Sequence, residues 1–325
     1  SPRGLRRTDT YRCAPTALPE ARPRMPRDYH GHQRILRNAS VGYVEIIELT
    51  GGGLASHIKE TQLPGKPNLE LFHNQCEDFL RSFRDYLRQQ YPEVFLDLLT
   101  IDDKLLGIWY TVWLKSLVWY PKQAFEAKGY EVPETWDEMM ALSDQIVADG
   151  GTPWCIGIYE YGAQGWVGTD WVEDILLRTA PPEAYDAWVN HDLPFDSPEI
   201  RRAFEIMGQI WLNDDYVYGG SANIGKESFF DSPKHLFEDP PGCYLHKQAT
   251  FIPFYFPPGV RYGEDYDFFY LPPIDPKFGK PVLGGGELMA MFNDRPEVRE
   301  VMRYLTTAES TQALIQYGNF LSPNR

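Results

Sequence analysis

Leu117-Val118-Trp119-Tyr120-Pro121, then Lys122-Gln123-Ala124-Phe125-Glu126-Ala127-Lys128-Gly129, then Thr135-Trp136-Asp137-Glu138, is the stretch on which the fold turns. Residues 117–120 form a short continuous apolar run, the pattern of a buried strand. Residues 121–128 read as a helix that Gly129 closes. Thr135 and Glu138 then have capping-box spacing, so a second helix is expected through Met139, Met140, Leu142 and Ile146 as far as Gly150-Gly151. Trp154-Cys155-Ile156-Gly157-Ile158 is the next strand candidate.

The same alternation extends outward. Upstream lie a strand at 43–49, a helix at 77–90 with Phe79, Leu80, Phe83 and Leu87 at helical spacing, and an apolar run at 105–110. Downstream, helices are expected at 171–178, at 197–212 with Ser197 as cap, at 297–305 and at 310–317. Residues 244–256 mix strand-type residues with Pro253. A strand is expected at 267–271, and residues 281–292 set Gly284-Gly285-Gly286 before an apolar run. Strands alternating with helices predict an α/β architecture with largely parallel sheets. No period of 20–50 residues recurs, so a solenoid is excluded. Gly51-Gly52-Gly53 lacks the Lys-Ser/Thr of a phosphate loop and reads as a turn.

The chain has 325 residues, 43% of them hydrophobic, which suits two lobes better than one. A net charge of -15 argues against nucleic acid as a partner. No run of about 18 apolar residues predicts a membrane-spanning helix. Residues 1–37 stand apart, with nine arginines, five prolines and no lysine, and read as a disordered leader. Cys13, Cys76, Cys155 and Cys243 form no zinc-type cluster, so no metal is expected. Cys155 and Cys243 either pair or remain as buried thiols.

The chain has nine tryptophans and twenty tyrosines, and two of each fall within residues 159–171, Tyr-Glu-Tyr-Gly-Ala-Gln-Gly-Trp-Val-Gly-Thr-Asp-Trp. Rings set among glycines, amides and carboxylates suit a sugar, whose C–H face packs on an indole while its hydroxyls take the polar groups. Trp166, between glycines, is expected in a loop and available to a ligand. Trp119, Trp136, Trp154, Trp171 and Trp211 read as core. Trp109 and Trp113 are expected to flank a crossing between lobes, and Gln248 and Phe251 to present an amide and a ring at a strand end. A glycosidase would need paired carboxylates, for which Glu160, Asp170, Glu173, Asp174 and Glu287 are candidates. No GxSxG elbow is present, and His246 reads as a strand residue.

Several motifs from Asp102 onward carry a family resemblance: Ile101-Asp102-Asp103-Lys104-Leu105-Leu106-Gly107, Lys115-Ser116-Leu117-Val118-Trp119-Tyr120, Tyr130-Glu131-Val132-Pro133-Glu134-Thr135-Trp136, Gly151-Thr152-Pro153-Trp154, and Phe268-Phe269-Tyr270-Leu271-Pro272-Pro273. Over about two-thirds of its length the chain resembles the extracellular solute-binding proteins of bacterial ABC sugar importers, of the α-glucoside and maltose type. The resemblance implies a two-lobed periplasmic-binding-protein (type II) fold with a hinge and an inter-lobe cleft. It places the first lobe at 38–113 and 281–325 and the second at 114–280. It also implies that the chain is incomplete at both ends.

By position, the ligand-binding residues would be Gln164, Trp166 and Asp170 on the second-lobe wall, with Gln248 and Phe251 beside them. Gly285, Gly286 and Glu287 would lie on the return crossing, and Trp113 would stand where relatives carry a smaller polar residue. The implied function is binding of an α-glucoside-type oligosaccharide for delivery to an ABC permease, outside the cytoplasm, with no cofactor and no catalysis. A hydrolase fragment and a fragment that binds nothing are the alternatives.

Overall fold

In the computed structural model, backbone is described for strands β1 (Gln33–Ile35) and β2 (Val44–Leu49). Backbone and side chains are described over 83–101, 104–105, 107–160, 165–291, 295–316 and 321–324, apart from the side chains of 101, 104, 313, 314 and 316. Residues 33–35 of the expected leader form β1; the rest of the leader and residues 77–82 of the expected first helix lie outside the described residues. Helix α1 covers 83–90, α2 Glu93–Asp97, and β3 (Thr100–Ile101) and β4 (Lys104–Leu105) form a small hairpin.

Two strands organise the molecule, β5 (Ile108–Leu114) and β9 (Gly284–Met291). They pair antiparallel, Trp113 opposite Gly285 and Thr111 opposite Glu287, with a bulge at Tyr110. The sheet order is β1-β2-β9-β5, and Leu321 bridges the outer edge of β5 at Val112. One hydrophobic core gathers Phe83, Leu87, Leu96, Trp109, Leu288, Met291, Val298 and Met302. The other runs from Trp113 to Leu271. β5 therefore leaves one core at Trp109 and enters the second at Trp113, while β9 carries the chain back.

The second core is built as its sequence dictates. β6 (Leu117–Pro121) is buried at every position and sits between β7 (His246–Lys247) and β8 (Tyr266–Tyr270). Helix α3 (Lys122–Ala127) ends at Gly129, whose φ is 71°. Helix α4 (Trp136–Ala148) opens on the expected capping box: the Glu138 amide donates to Thr135 Oγ1 at 3.2 Å, and the Glu138 carboxylate accepts from the Thr135 amide at 3.1 Å. Helices α6 (Pro182–Val189) and α7 (Pro198–Trp211, capped by Ser197) pack against α5 (Trp166–Leu177). Helices α8 (Pro296–Leu305) and α9 (Ala308–Gln316) follow β9.

Three expectations need correction. Every named ladder among the described residues is antiparallel, and parallel contacts occur only as isolated bridges, such as Trp154 with Leu245. For β5 and β9 the reason is topological: neighbouring strands that carry a chain out of one core and back into it run in opposite directions. The expected strand at 154–158 makes only bridges at Trp154 and Tyr159. The helix expected at 171–178 begins five residues earlier, at Trp166, because Gly165 takes a left-handed φ of 104° at its N-cap.

Candidate functional site

Where the two crossing strands meet the second core, aromatic rings collect. Trp113 packs edge-on against Phe251 with centroids 5.0 Å apart, and Phe251 lies 5.9 Å from Trp166. Trp166 in turn packs edge-on against Phe229 at 5.0 Å. Trp113, Phe251 and Phe229 are buried, whereas Trp166 and Tyr255 are half-buried and are the cluster's rings that reach solvent. Trp166 is the first helical residue of α5 and not a loop residue, yet it stays partly open because Gly165 turns the chain there. Its indole N–H donates to Glu160 Oε2 at 3.0 Å, which fixes the ring's orientation. Phe229, Tyr255 and the buried Glu160 complete this wall. Their signal in the sequence is aromatic pairs in irregular segments, Phe229-Phe230 and Phe254-Tyr255-Phe256, which periodicity does not register.

Beside the wall, Gly285 is buried opposite Trp113. At Gly286 a Cβ would stand 2.1 Å from the Thr111 carbonyl oxygen, so only glycine lets β9 lie this close to β5. Glu287 is half-buried; its carboxylate accepts from Thr111 Oγ1 at 3.4 Å. Gln248 is turned inward, with Oε1 accepting from the Ala249 amide at 2.8 Å. Gln164 lies outside the described residues.

Asp170 lies one turn along α5 from Trp166. It is 3% exposed and ion-paired to Lys115 Nζ at 2.8 Å, although burial still pushes its carboxyl up from the usual range. One turn on, the fully buried Asp174 takes Arg178 Nη1 at 2.7 Å and Lys247 Nζ at 2.7 Å. Lys247 and Arg178 together hold its carboxyl below the usual range against burial. Glu173, 2% exposed, accepts from the Tyr185 hydroxyl at 3.3 Å; burial raises its carboxyl to about 7. Three of the five carboxylates considered for hydrolysis are thus sealed inside the second core and paired with its own side chains. His246 is buried, with Nδ1 on the Cys155 carbonyl at 2.9 Å, and burial pushes it down to about 4, so at neutral pH it is uncharged.

Cys155 and Cys243 are disulfide-bonded, with Cα atoms 5.6 Å apart. The bond staples the segment before Glu160 to the segment before Gln248. Among the described residues no cluster of His, Cys, Asp or Glu could hold a metal ion, and no helix is long and apolar enough to cross a membrane.

Two cores joined by an antiparallel strand pair, with an aromatic wall at the junction, define a two-lobed α/β binding protein of the type II class. The chain belongs to the family of bacterial extracellular solute-binding proteins, whose profile matches residues 81–312. It is 46% identical over 239 residues to the osmoprotective compounds-binding protein GgtB of Synechocystis sp., covering 74% of this chain and 56% of that protein. It is 47% identical over 216 residues to the alpha-glucosides-binding periplasmic protein AglE of Rhizobium meliloti, covering 66% of this chain and 47% of that one. The chain thus spans about half the length of these curated relatives. Among solved structures, a chitin oligosaccharide binding protein superposes with a TM-score of 0.64 at 18% identity, covering 86% of this chain and 66% of the other. The maltose-bound MalE3 of T. maritima superposes at 0.59 and 14%, with the same coverage. At these identities the likeness is one of fold.

Proposed function

We propose that this chain is the ligand-binding part of a bacterial ABC importer and takes an α-glucoside-type sugar between its lobes. The observation that carries the reading is the contiguous ring wall Trp113–Phe251–Trp166, set where the chain crosses between two cores. Sites at such junctions are typical for small ligands. In this reading residues 38–113 and 281–325 belong to the first lobe, residues 114–280 to the second, and the lobes close about the crossing as a hinge. Trp166 stacks on the sugar and Glu287 accepts its hydroxyls, while the buried Glu160 holds the indole in place. Asp170 and Gln248, buried and already bonded, hold the wall's frame from behind. GgtB and AglE, named for osmoprotective compounds and α-glucosides, support the ligand class. The protein works outside the cytoplasm, delivers its ligand to a membrane permease and performs no chemistry on it.

Isothermal titration with maltose, trehalose, sucrose and a longer α-glucan tests this. Micromolar binding of one of them is expected. Trp166→Ala should weaken that binding by about 1–3 kcal/mol, the usual loss for an aromatic anchor. A folded protein that gives no heat with any of the four, or a Trp166→Ala variant of unchanged affinity, would sink the assignment. An aryl α-glucoside left with the protein should remain intact.

A further inference from the structure

Helix α5 carries more than the ring wall. Trp166, Asp170, Asp174 and Arg178 follow one another at intervals of four, along one inclined face. The first is part of the wall. The other three grip the chain where it passes between the cores, on its way out and on its way back.

On the outbound side, Lys115 Nζ pairs with Asp170, and Ser116 Oγ donates to Asp174 Oδ1 at 2.6 Å. On the return side, Arg178 clasps three carbonyls. Its Nε donates to Leu271 O at 3.2 Å and Pro272 O at 3.1 Å, and its Nη2 donates to Leu271 O at 3.0 Å and Pro281 O at 3.2 Å. Ser116 links the two sides, because its hydroxyl also accepts from the Leu283 amide at 2.8 Å and its carbonyl accepts from the Leu271 amide at 2.9 Å. Lys115 N–H donates to Leu283 O at 2.9 Å. Lys247 closes the set, paired to Asp174 and donating to the carbonyls of Lys115 and Asp170. Ser116, Asp174 and Arg178 are fully buried, and Lys115 is 1% exposed. A sugar-binding wall alone has no need of this assembly, and buried ion pairs are a poor source of net stability. What they do supply is a fixed geometry between the segments they join.

We propose that the Asp170–Asp174–Arg178 stripe is a transmission: it ties the ring end of α5 to both crossing segments, so that Trp166 and the crossing move as one body. Ser116 and Arg178 are its positioning residues. Arg178 acts on Trp166 from about 18 Å away, the rise of twelve helical residues, and Ser116, through Asp174, from about 12 Å. The functional meaning rests on the sugar reading, in which a load on Trp166 becomes a change at the hinge. The tie itself is measurable without sugar.

Hydrogen–deuterium exchange of the ligand-free protein is the test, comparing wild type with Ser116→Ala. Loss of one hydroxyl should speed exchange at 113–117 and 281–286, and together with them at 165–170, by about tenfold or more, as a single opening unit. Exchange in α4, which packs in the same core outside the network, should not change. Arg178→Lys keeps the charge beside Asp174 but lacks the planar fork for the carbonyls, and should give the same pattern. Faster exchange confined to the neighbours of the substituted residue, with 165–170 unmoved, would overturn the proposal. So would a uniform rise that includes α4, which reports general loosening. A failed sugar titration leaves this experiment standing, so the two readings fail separately.

Discussion

Gly286 shows how much can rest on one absent side chain. Its Cα is Thr111's neighbour but one across the β5–β9 ladder, and a methyl group there would meet backbone that cannot move without breaking the ladder. Gly286→Ala is therefore expected to cost about 3 kcal/mol, as overpacking against fixed atoms does. Urea unfolding would show this as a lower midpoint, and a midpoint equal to wild type would contradict the close approach. Residue identity was legible in the sequence where the residue type is decisive. The glycine run, the Thr135–Glu138 box and the five tryptophans assigned to the core stand where expected, those tryptophans between 0% and 8% exposed. Side-chain direction was not legible. Asp170 sits four residues from Trp166 in an aromatic stretch and reads as a ligand contact, but its partner Lys115 lies 55 positions away, and no local pattern announces that pair.

Helix α5 is the element in which site and core meet, and its buried acids give it a pH signature. Burial, then Asp170, raises Glu173 from 4.5 to about 7, against the opposing pull of Lys115 and the Tyr185 hydroxyl. The native state thus holds this proton more tightly than the unfolded chain. The resulting stability is fully present below about pH 4.5 and fades as the pH rises through about 7. Glu173→Gln removes the dependence. Relative to the variant, wild type should lose on the order of 2–3 kcal/mol between pH 5 and pH 7.5. His246 titrates alike in both proteins and cancels from the difference. Denaturant midpoints at the two pH values check this, and a gap that stays constant with pH would refute it. Elements were readable where a periodic run met a cap or a glycine, as in α4 and α7. The start of α5 was missed because glycine usually ends helices, whereas Gly165 precedes one. Helix α6 was missed because it buries no side chain fully and so lacks a clean apolar stripe.

At the scale of the whole molecule, the disulfide joins residues 88 apart in sequence. Closing such a loop in the unfolded chain is worth about 4–5 kcal/mol. Reduction should lower stability by roughly that amount, and a thiol assay on unfolded, unreduced protein should find two reactive thiols of the four cysteines. Four reactive thiols would mean the bond is absent. The two-lobed plan was legible through family likeness, whereas antiparallel pairing was not, since alternation of elements says nothing about which strands become neighbours. That pairing has a consequence for synthesis. The second core is drawn from one unbroken stretch between Trp113 and Leu271, so it can condense as soon as that stretch leaves the ribosome. The other core takes its halves from either side of that stretch, Phe83 to Trp109 and Leu288 to Met302. Its early half must wait, apolar and uncovered, until residues 288–302 have been made. The later-finished lobe is the long-range, slow-closing one, and it is there that a nascent chain most needs a chaperone's cover.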